Sequence, residues 1–181
     1  MNAATVSLLF LVMFMLQISH GQAASLHRSP HRPGEKNVVH KRKKAHLLAS
    51  PHVSQKRHTK LMDAYQQWKG VRYRLGGTSH AAIDCSALIR HIYDKQFLRR
   101  LPRTTSGQIH KGRRISQDQL TPGDLVFFNT GRGQKHVGLY IGGQQFIHAS
   151  RRKGVTLSKL DDKYWQRHYL TARRILPPPV S

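Results

Sequence analysis

The order of the hydrophobic patterns constrains the fold of this 181-residue chain more than any other feature. Helical spacing comes first, over residues 59–70 behind a Thr59 cap, over 84 to about 97, and in a short helix near 105–110. Strand patterns follow at 125–129, 136–141, 145–149, 155–158 and 171–175, with one helical turn at 164–168. Helices followed by an antiparallel sheet predict one α+β domain over residues 59–176.

The first 23 residues have the pattern of a secretory signal peptide. An apolar run ends in small residues, and Gly21 and Ala23 suit cleavage after Ala23. The mature protein is then expected to be soluble and periplasmic or secreted. Because no Lys or Arg precedes the apolar run, an uncleaved membrane anchor is the alternative.

Residues 24–58 have the composition of a basic disordered tether, and residues 177–181 form a short tail. Between Ser25 and Lys60 there are ten Lys or Arg residues against one acid, Glu35, and no apolar periodicity. A partner for this segment would be anionic, such as wall phosphates, lipid head groups, lipopolysaccharide or nucleic acid. The alternative is a solvated linker without a specific partner.

Cys85 is the single cysteine, which excludes an intramolecular disulfide. It lies at the first turn of the second predicted helix, on the face shared with Leu88, where the helix dipole favours a thiolate. His136 and His148 lie on consecutive predicted strands and are candidates for its base and for the residue that orients the base. They share a face only if the hairpin between them closes through an odd number of residues. The alternative is a buried cysteine acting as a small hydrophobic residue.

Several segments resemble, in order and spacing, the NlpC family of papain-like peptidoglycan endopeptidases: YRLGGTSHAAIDCSALI, LPRTTSGQ, PGDLVFF, HVGLYIGGQQFIHAS and YWQRHYLTARRIL. The resemblance implies a papain-like fold, with N-terminal helices packed on the antiparallel sheet. It also implies Cys85 as nucleophile, His136 as general base and His148 as the residue that orients it. One departure is Ala87, where the family usually has glycine.

The resemblance further implies that Tyr73 lines the site near the thiol, and that Asp84 and Ser86 help to bind the peptidoglycan stem peptide. The bond expected to be cut joins γ-D-glutamate to meso-diaminopimelate. The runner-up is the cross-link from D-alanine to diaminopimelate. A rival of another class is a non-catalytic basic module that binds an anionic polymer, and an enzyme delivered against competitors' walls would share the same chemistry.

The remaining polar and aromatic residues are assigned structural roles. Thirteen histidines occur without the spacing of a metal site, so neither a metal nor another cofactor is predicted. Asp124 is expected to position the Pro-Gly turn before it. We expect Trp68, Tyr164 and Trp165 to lie in the core, and Arg173 and Arg174 to lie on a solvated strand edge.

Overall fold

The first helix, α1, spans Pro51–Trp68 in the computed structural model, which describes residues 51–131 and 133–177. The predicted signal peptide, residues 24–50 of the predicted tether and residues 178–181 of the tail lie outside the described residues. Within them, no helix combines the length and the apolar character needed to cross a membrane.

The predicted start of α1 at Thr59 is wrong, because the helix begins eight residues earlier, inside the predicted tether. Thr59 is an internal residue whose hydroxyl donates to the carbonyl of Gln55 at 3.2 Å. The extra turns are held by distant parts of the chain: Arg57 donates to the Pro177 carbonyl at 2.8 Å, and His58 Nδ1 lies 2.6 Å from the Ile141 carbonyl. Such contacts leave no local apolar pattern.

The two other predicted helices are present. Helix α2 spans Cys85–Phe97 and α3 spans Thr105–Gln108. The buried face of α2 includes Cys85, Leu88, Ile89 and Ile92, which confirms that the cysteine points towards the core.

A six-stranded antiparallel sheet follows the helices and confirms the α+β class. Its strands are β3 (Arg113–Ile115), β4 (Leu125–Asn129), β5 (Lys135–Gly142), β6 (Gln145–Ser150), β7 (Gly154–Lys159) and β8 (Tyr169–Arg174), in the spatial order β3-β8-β4-β5-β6-β7. A short helix α4, Lys163–His168, joins β7 to β8. Strand β3 and the two-residue pair β1 (Thr78–Ser79) and β2 (Ala82–Ile83) were not predicted, because such short polar segments carry no clear alternation.

The prediction of a solvated strand edge at Arg173 and Arg174 is wrong. Strand β8 lies inside the sheet between β3 and β4. Arg174 forms an ion pair with the buried carboxylate of Asp124 at 2.7 Å, and Asp124 also accepts hydrogen bonds from the amide and hydroxyl of Thr121. Asp124 therefore positions its turn, as predicted, and in addition neutralises Arg174.

Each face of the sheet carries a hydrophobic cluster. The larger one packs α1 and α2 on one face and includes Trp68, as predicted. The smaller one lies on the other face, where Phe128 and Phe146 are fully buried and Trp165 of α4 packs against them. Tyr164 is 46% exposed, so its predicted place in the core is wrong.

Candidate active site

The thiol of Cys85 lies at the first residue of α2 and is 7% exposed. Burial raises the pKa of the Cys85 thiol, although the nearby Val137 backbone and the Thr105 hydroxyl act in the opposite direction. Thr105 Oγ1 lies 3.7 Å from the sulfur. The helix start therefore does not produce a resting thiolate, contrary to the sequence-based expectation, and the thiol needs a base.

Asp84 caps α2 and organises the residues around the thiol. One of its carboxylate oxygens accepts from the Ala87 amide at 2.8 Å and from the Ser86 hydroxyl at 3.0 Å. Arg103 donates to both oxygens, from Nη1 to Oδ1 at 3.0 Å and from Nη2 to Oδ2 at 2.7 Å. Burial alone would raise the pKa of the Asp84 carboxyl, but the hydrogen bonds from Arg103, Ala87 and Ser86 outweigh it and lower the pKa. Asp84 is therefore an ionised anchor of the helix start.

The segment Pro102–Gln108 fastens the other side of this helix start. Gln108 is fully buried, and its side-chain amide donates to the carbonyls of Ser86 and Pro102, both at 2.9 Å. The sequence analysis assigned no role to Arg103 or Gln108. Both residues lie in the LPRTTSGQ segment, which carries part of the family resemblance, and this position could have identified them as site residues.

The two predicted histidines meet, and a serine extends their line. His136 Nε2 lies 3.0 Å from His148 Nδ1, and His148 Nε2 lies 2.9 Å from Ser158 Oγ. This arrangement leaves His136 Nδ1 without a hydrogen-bond partner among the described residues. Ser158 was not singled out from the sequence, since its distance of ten residues from His148 has meaning only once β6 and β7 are paired.

The hairpin between β5 and β6 gives the two histidines a common face, as the odd-loop condition required. Tyr140 pairs with Phe146, so five residues lie between paired positions. They comprise a bulge at Ile141 and a tight turn in which Gly143 and Gln144 both have positive φ, 55° and 61°. A two-residue turn without the bulge would have placed His136 and His148 on opposite faces.

Trp165 covers the two imidazoles on the sheet face opposite α1 and α2. Its ring is stacked on His136 at 5.7 Å between centroids and meets His148 edge-on at 4.9 Å. Burial, followed by the charge of Arg151, lowers the pKa of His136 to about 4. Burial also lowers the pKa of His148, with a further contribution from His136. Both rings are therefore neutral near pH 7, which is the state a general base requires.

Tyr73 stands on the far side of the thiol. Its backbone forms an isolated parallel bridge with Ile83 of β2. The loop between them needs glycine at Gly77, because a Cβ there would lie 2.6 Å from the Ala82 carbonyl oxygen. Burial and the neighbouring Cys85 raise the pKa of the Tyr73 phenol, and the nearby guanidinium of Arg151 opposes them. Tyr73 is thus held at the thiol in its neutral form.

A groove of about 480 Å³ brings most of the predicted site residues together. Its walls include Tyr73, Asp84, Cys85, Ser86 and His136, whereas His148 lies behind His136 and is 2% exposed. The groove is also lined by Arg103 and Arg151. Among residues 51–131 and 133–177, no three His, Cys, Asp or Glu side chains are grouped to hold a metal ion.

Chemically, one groove contains a protonated thiol at the amino end of a helix and a neutral imidazole from the sheet. The amides of Cys85 and Ser86 have no carbonyl one turn earlier to bind and, unlike the Ala87 amide, do not donate to Asp84. They can therefore donate to an oxygen that gains negative charge near the sulfur. A nucleophile, a base with an orienting partner, and oxyanion donors are the components of acyl transfer through a thioester.

Comparisons with known proteins identify relatives of this chain. The chain is 46% identical over 118 residues to the murein DD-endopeptidase MepS/murein LD-carboxypeptidase of Escherichia coli K12, a match that covers 65% of this chain and 63% of that protein. It is 36% identical over 112 residues to the gamma-DL-glutamyl hydrolase of Bacillus subtilis, covering 60% of this chain and 27% of that protein. The chain thus spans less than two thirds of the length of either relative.

A crystal structure of an NlpC/P60 family protein from Bacillus cereus superposes with a TM-score of 0.60 and 31% identity, covering 66% of this chain and 40% of that one. This likeness confirms the papain-like fold expected from the sequence. The pattern that defines the NlpC/P60 family matches residues 70–174, which is more than half of the chain. The protein therefore belongs to the NlpC/P60 family.

Proposed function

We propose that this protein is a cysteine peptidase that hydrolyses the stem peptides of peptidoglycan. The observation that carries the proposal is the line from His136 to His148 and Ser158 behind a groove that also contains the Cys85 thiol. The two relatives described above are named for cleavage of murein and of a γ-glutamyl bond, which supports the same class of substrate.

In the proposed mechanism, His136 Nδ1 takes the proton of the Cys85 thiol as the sulfur attacks the scissile carbonyl carbon. The amides at the start of α2 bind the oxyanion, and the leaving amine receives the proton from His136. Water then attacks the thioester with His136 again acting as base, which releases the carboxylate product and restores the thiol. His148 orients the His136 ring through the hydrogen bond between His136 Nε2 and His148 Nδ1.

The leading bond is the one from γ-D-glutamate to meso-diaminopimelate, and the D-alanine to diaminopimelate cross-link is the second candidate. The names of the relatives favour neither, since one denotes a DD-endopeptidase and the other a γ-glutamyl hydrolase. Tyr73, Asp84 and Ser86 are proposed to contact the stem peptide from the groove wall. For Asp84, the bidentate ion pair with Arg103 makes an indirect role, through the helix start, the simpler one.

Cleavage of the wall requires export, so we also propose a periplasmic or secreted location. The basic segment before Pro51 would then meet anionic polymers of the envelope. The folded domain would also attract anionic polymers, because residues 51–177 contain 24 of the 31 Lys and Arg residues and seven of the eight acids. A purely binding function remains the rival that this charge supports.

Digestion of purified sacculi, followed by mass spectrometry of the released fragments, tests the proposal and identifies the bond. We expect Cys85→Ala and His136→Ala each to lower the rate by about 10³-fold or more, because each removes part of the activated nucleophile. His110→Ala, a change of an exposed histidine, is the matched control and should keep full activity. Wild-type fragment release by folded Cys85→Ala protein would refute a cysteine peptidase.

A further inference from the structure

Arg151 occupies a defined position on the wall of the groove although its side chain is exposed. It lies in the turn between β6 and β7, and its Nη2 donates to Gln134 Oε1 at 2.6 Å. On another side, its guanidinium carbon lies 5.7 Å from the centre of the Tyr73 ring. Gln134 is itself anchored, because its carbonyl accepts hydrogen bonds from the Thr130 amide and hydroxyl. The guanidinium is therefore held between Gln134 and Tyr73, which both line the groove that contains Cys85.

The positive charge of Arg151 has no carboxylate partner within 4 Å among the described residues. The salt bridges found there pair Arg103 with Asp84 and Arg174 with Asp124. A guanidinium has five N–H donors in a planar fork, and Gln134 takes one of them. Lys135, which also lines the groove and is exposed, adds a second cation beside His136. This wall of the groove thus has fixed donors and uncompensated positive charge.

We propose that Arg151, with Gln134 and Lys135, forms a subsite that binds a free carboxylate of the substrate next to the scissile bond. The planar fork of Arg151 suits bidentate recognition of a carboxylate, and its contacts with Gln134 and Tyr73 reduce the ordering cost of binding. The inference rests on the proposed function, since it supplies a specificity determinant for stem-peptide cleavage.

Stem peptides provide this carboxylate from one of two sources, depending on the bond that is cut. The γ-linked D-glutamate carries a free α-carboxylate on the acyl side of its bond to diaminopimelate. In the cross-link, the free carboxylate of diaminopimelate is on the amine side of the bond. Conversion of either carboxylate to a carboxamide removes the charge while it keeps size and shape, so the subsite predicts discrimination against one of the two amides.

The test uses the full mature chain and three soluble cross-linked muropeptides, which contain both candidate bonds: the free acid, the form amidated at D-glutamate, and the form amidated at diaminopimelate. Hydrolysis is measured as kcat/KM in the active protein, and affinity is measured by calorimetry in the Cys85→Ala protein. Both are compared among the parent, Arg151→Gln and Arg152→Gln. Arg152 is exposed and next in sequence but does not line the groove, so it is the matched control.

We expect one of the amides to bind about 10- to 100-fold more weakly than the free acid, the range for a lost hydrogen bond to a charged group. Arg151→Gln should weaken binding of the free acid by a similar factor and should not weaken that amide further, whereas Arg152→Gln should match the parent. The amide that is discriminated against identifies the carboxylate source, and kcat/KM should follow the same order.

Equal affinity of the parent for all three peptides would overturn the subsite, as would an equal loss on all three in Arg151→Gln. Discrimination in binding without hydrolysis of any peptide would leave the subsite standing and reject the proposed function. Hydrolysis without discrimination would reject the subsite and leave the proposed function standing.

Discussion

At the residue scale, the chemistry depends on the direction of two hydrogen bonds. For His136 to accept the thiol proton at Nδ1, its Nε2 must carry hydrogen and donate to His148 Nδ1. His148 then carries its own hydrogen on Nε2 and donates it to Ser158 Oγ, 2.9 Å away. The Ser158 hydroxyl is able to accept this hydrogen bond and thereby orients the His148 ring. We therefore propose that Ser158 is a positioning residue for the proposed base.

We expect Ser158→Ala to lower kcat about 10-fold, with a smaller effect on KM, because His148, and through it His136, would lose an orienting hydrogen bond. Ser158→Thr keeps the acceptor and should restore most of the activity. The measurement is steady-state hydrolysis of a soluble muropeptide by the three proteins. Equal kcat for the alanine and wild-type proteins, or an equal loss in the threonine protein, would contradict a positioning role for the Ser158 hydroxyl.

At the scale of elements, the start of α2 is a built unit rather than a free helix end. The Asp84 carboxylate accepts hydrogen bonds from the Ala87 amide, the Ser86 hydroxyl and the two terminal guanidinium nitrogens of Arg103. The side-chain amide of Gln108 donates to the Ser86 carbonyl. Five residues from two segments thus fix the position of the thiol. This explains how a short helix on the edge of a groove can present Cys85 in one orientation.

Replacing Asp84 with alanine should lower the free energy of unfolding by about 2 kcal/mol. The helix loses its cap, worth about 1 kcal/mol, and the side chain of Arg103, which is one-third exposed, loses its counter-charge. Urea unfolding followed by circular dichroism measures the change. Asp63→Ala removes an exposed acid of α1 as control and should change stability by less than about 0.5 kcal/mol. Equal stability of the two variants would show that the cap and ion pair contribute nothing net.

At the scale of the whole molecule, the balance of charge and the buried histidines decide how the fold responds to acid. The His136 pKa is about 4 in the folded protein, below the ordinary value of 6.5. Between these values the unfolded chain binds a proton that the folded protein excludes, so stability falls as the pH falls. The lowered pKa of His148 acts in the same direction.

We therefore expect the free energy of unfolding to drop between pH 6.5 and pH 4, with His136 accounting for up to about 3 kcal/mol of the loss. In His136→Gln this contribution is absent, and the same acidification should cost correspondingly less. Urea titrations at half-unit pH intervals compare the two proteins. General charge repulsion affects both alike, so parallel pH curves would mean that His136 is not the buried neutral base described.

Local pattern alone was sufficient for much of the fold. Strand patterns predicted β4 residue for residue and β5 to β8 within two residues at each end. Helical spacing with Asp84 before Cys85 predicted where α2 begins. These features are determined by neighbours in the chain, through side-chain period and capping. The lone cysteine and two strand histidines likewise identified the residues that meet in the groove region.

Tertiary structure decided what depends on distant partners. The early start of α1 depends on contacts of Arg57 and His58 with residues more than 80 positions away. Arg174 is largely buried because β3 pairs with the outer side of β8 and because the Arg174 side chain forms hydrogen bonds with Asp124. The Ser158 contact and the Trp165 cover exist only after β6, β7 and α4 have packed. The raised pKa of Cys85 likewise results mainly from burial in the assembled core, which its position at a helix start does not reveal.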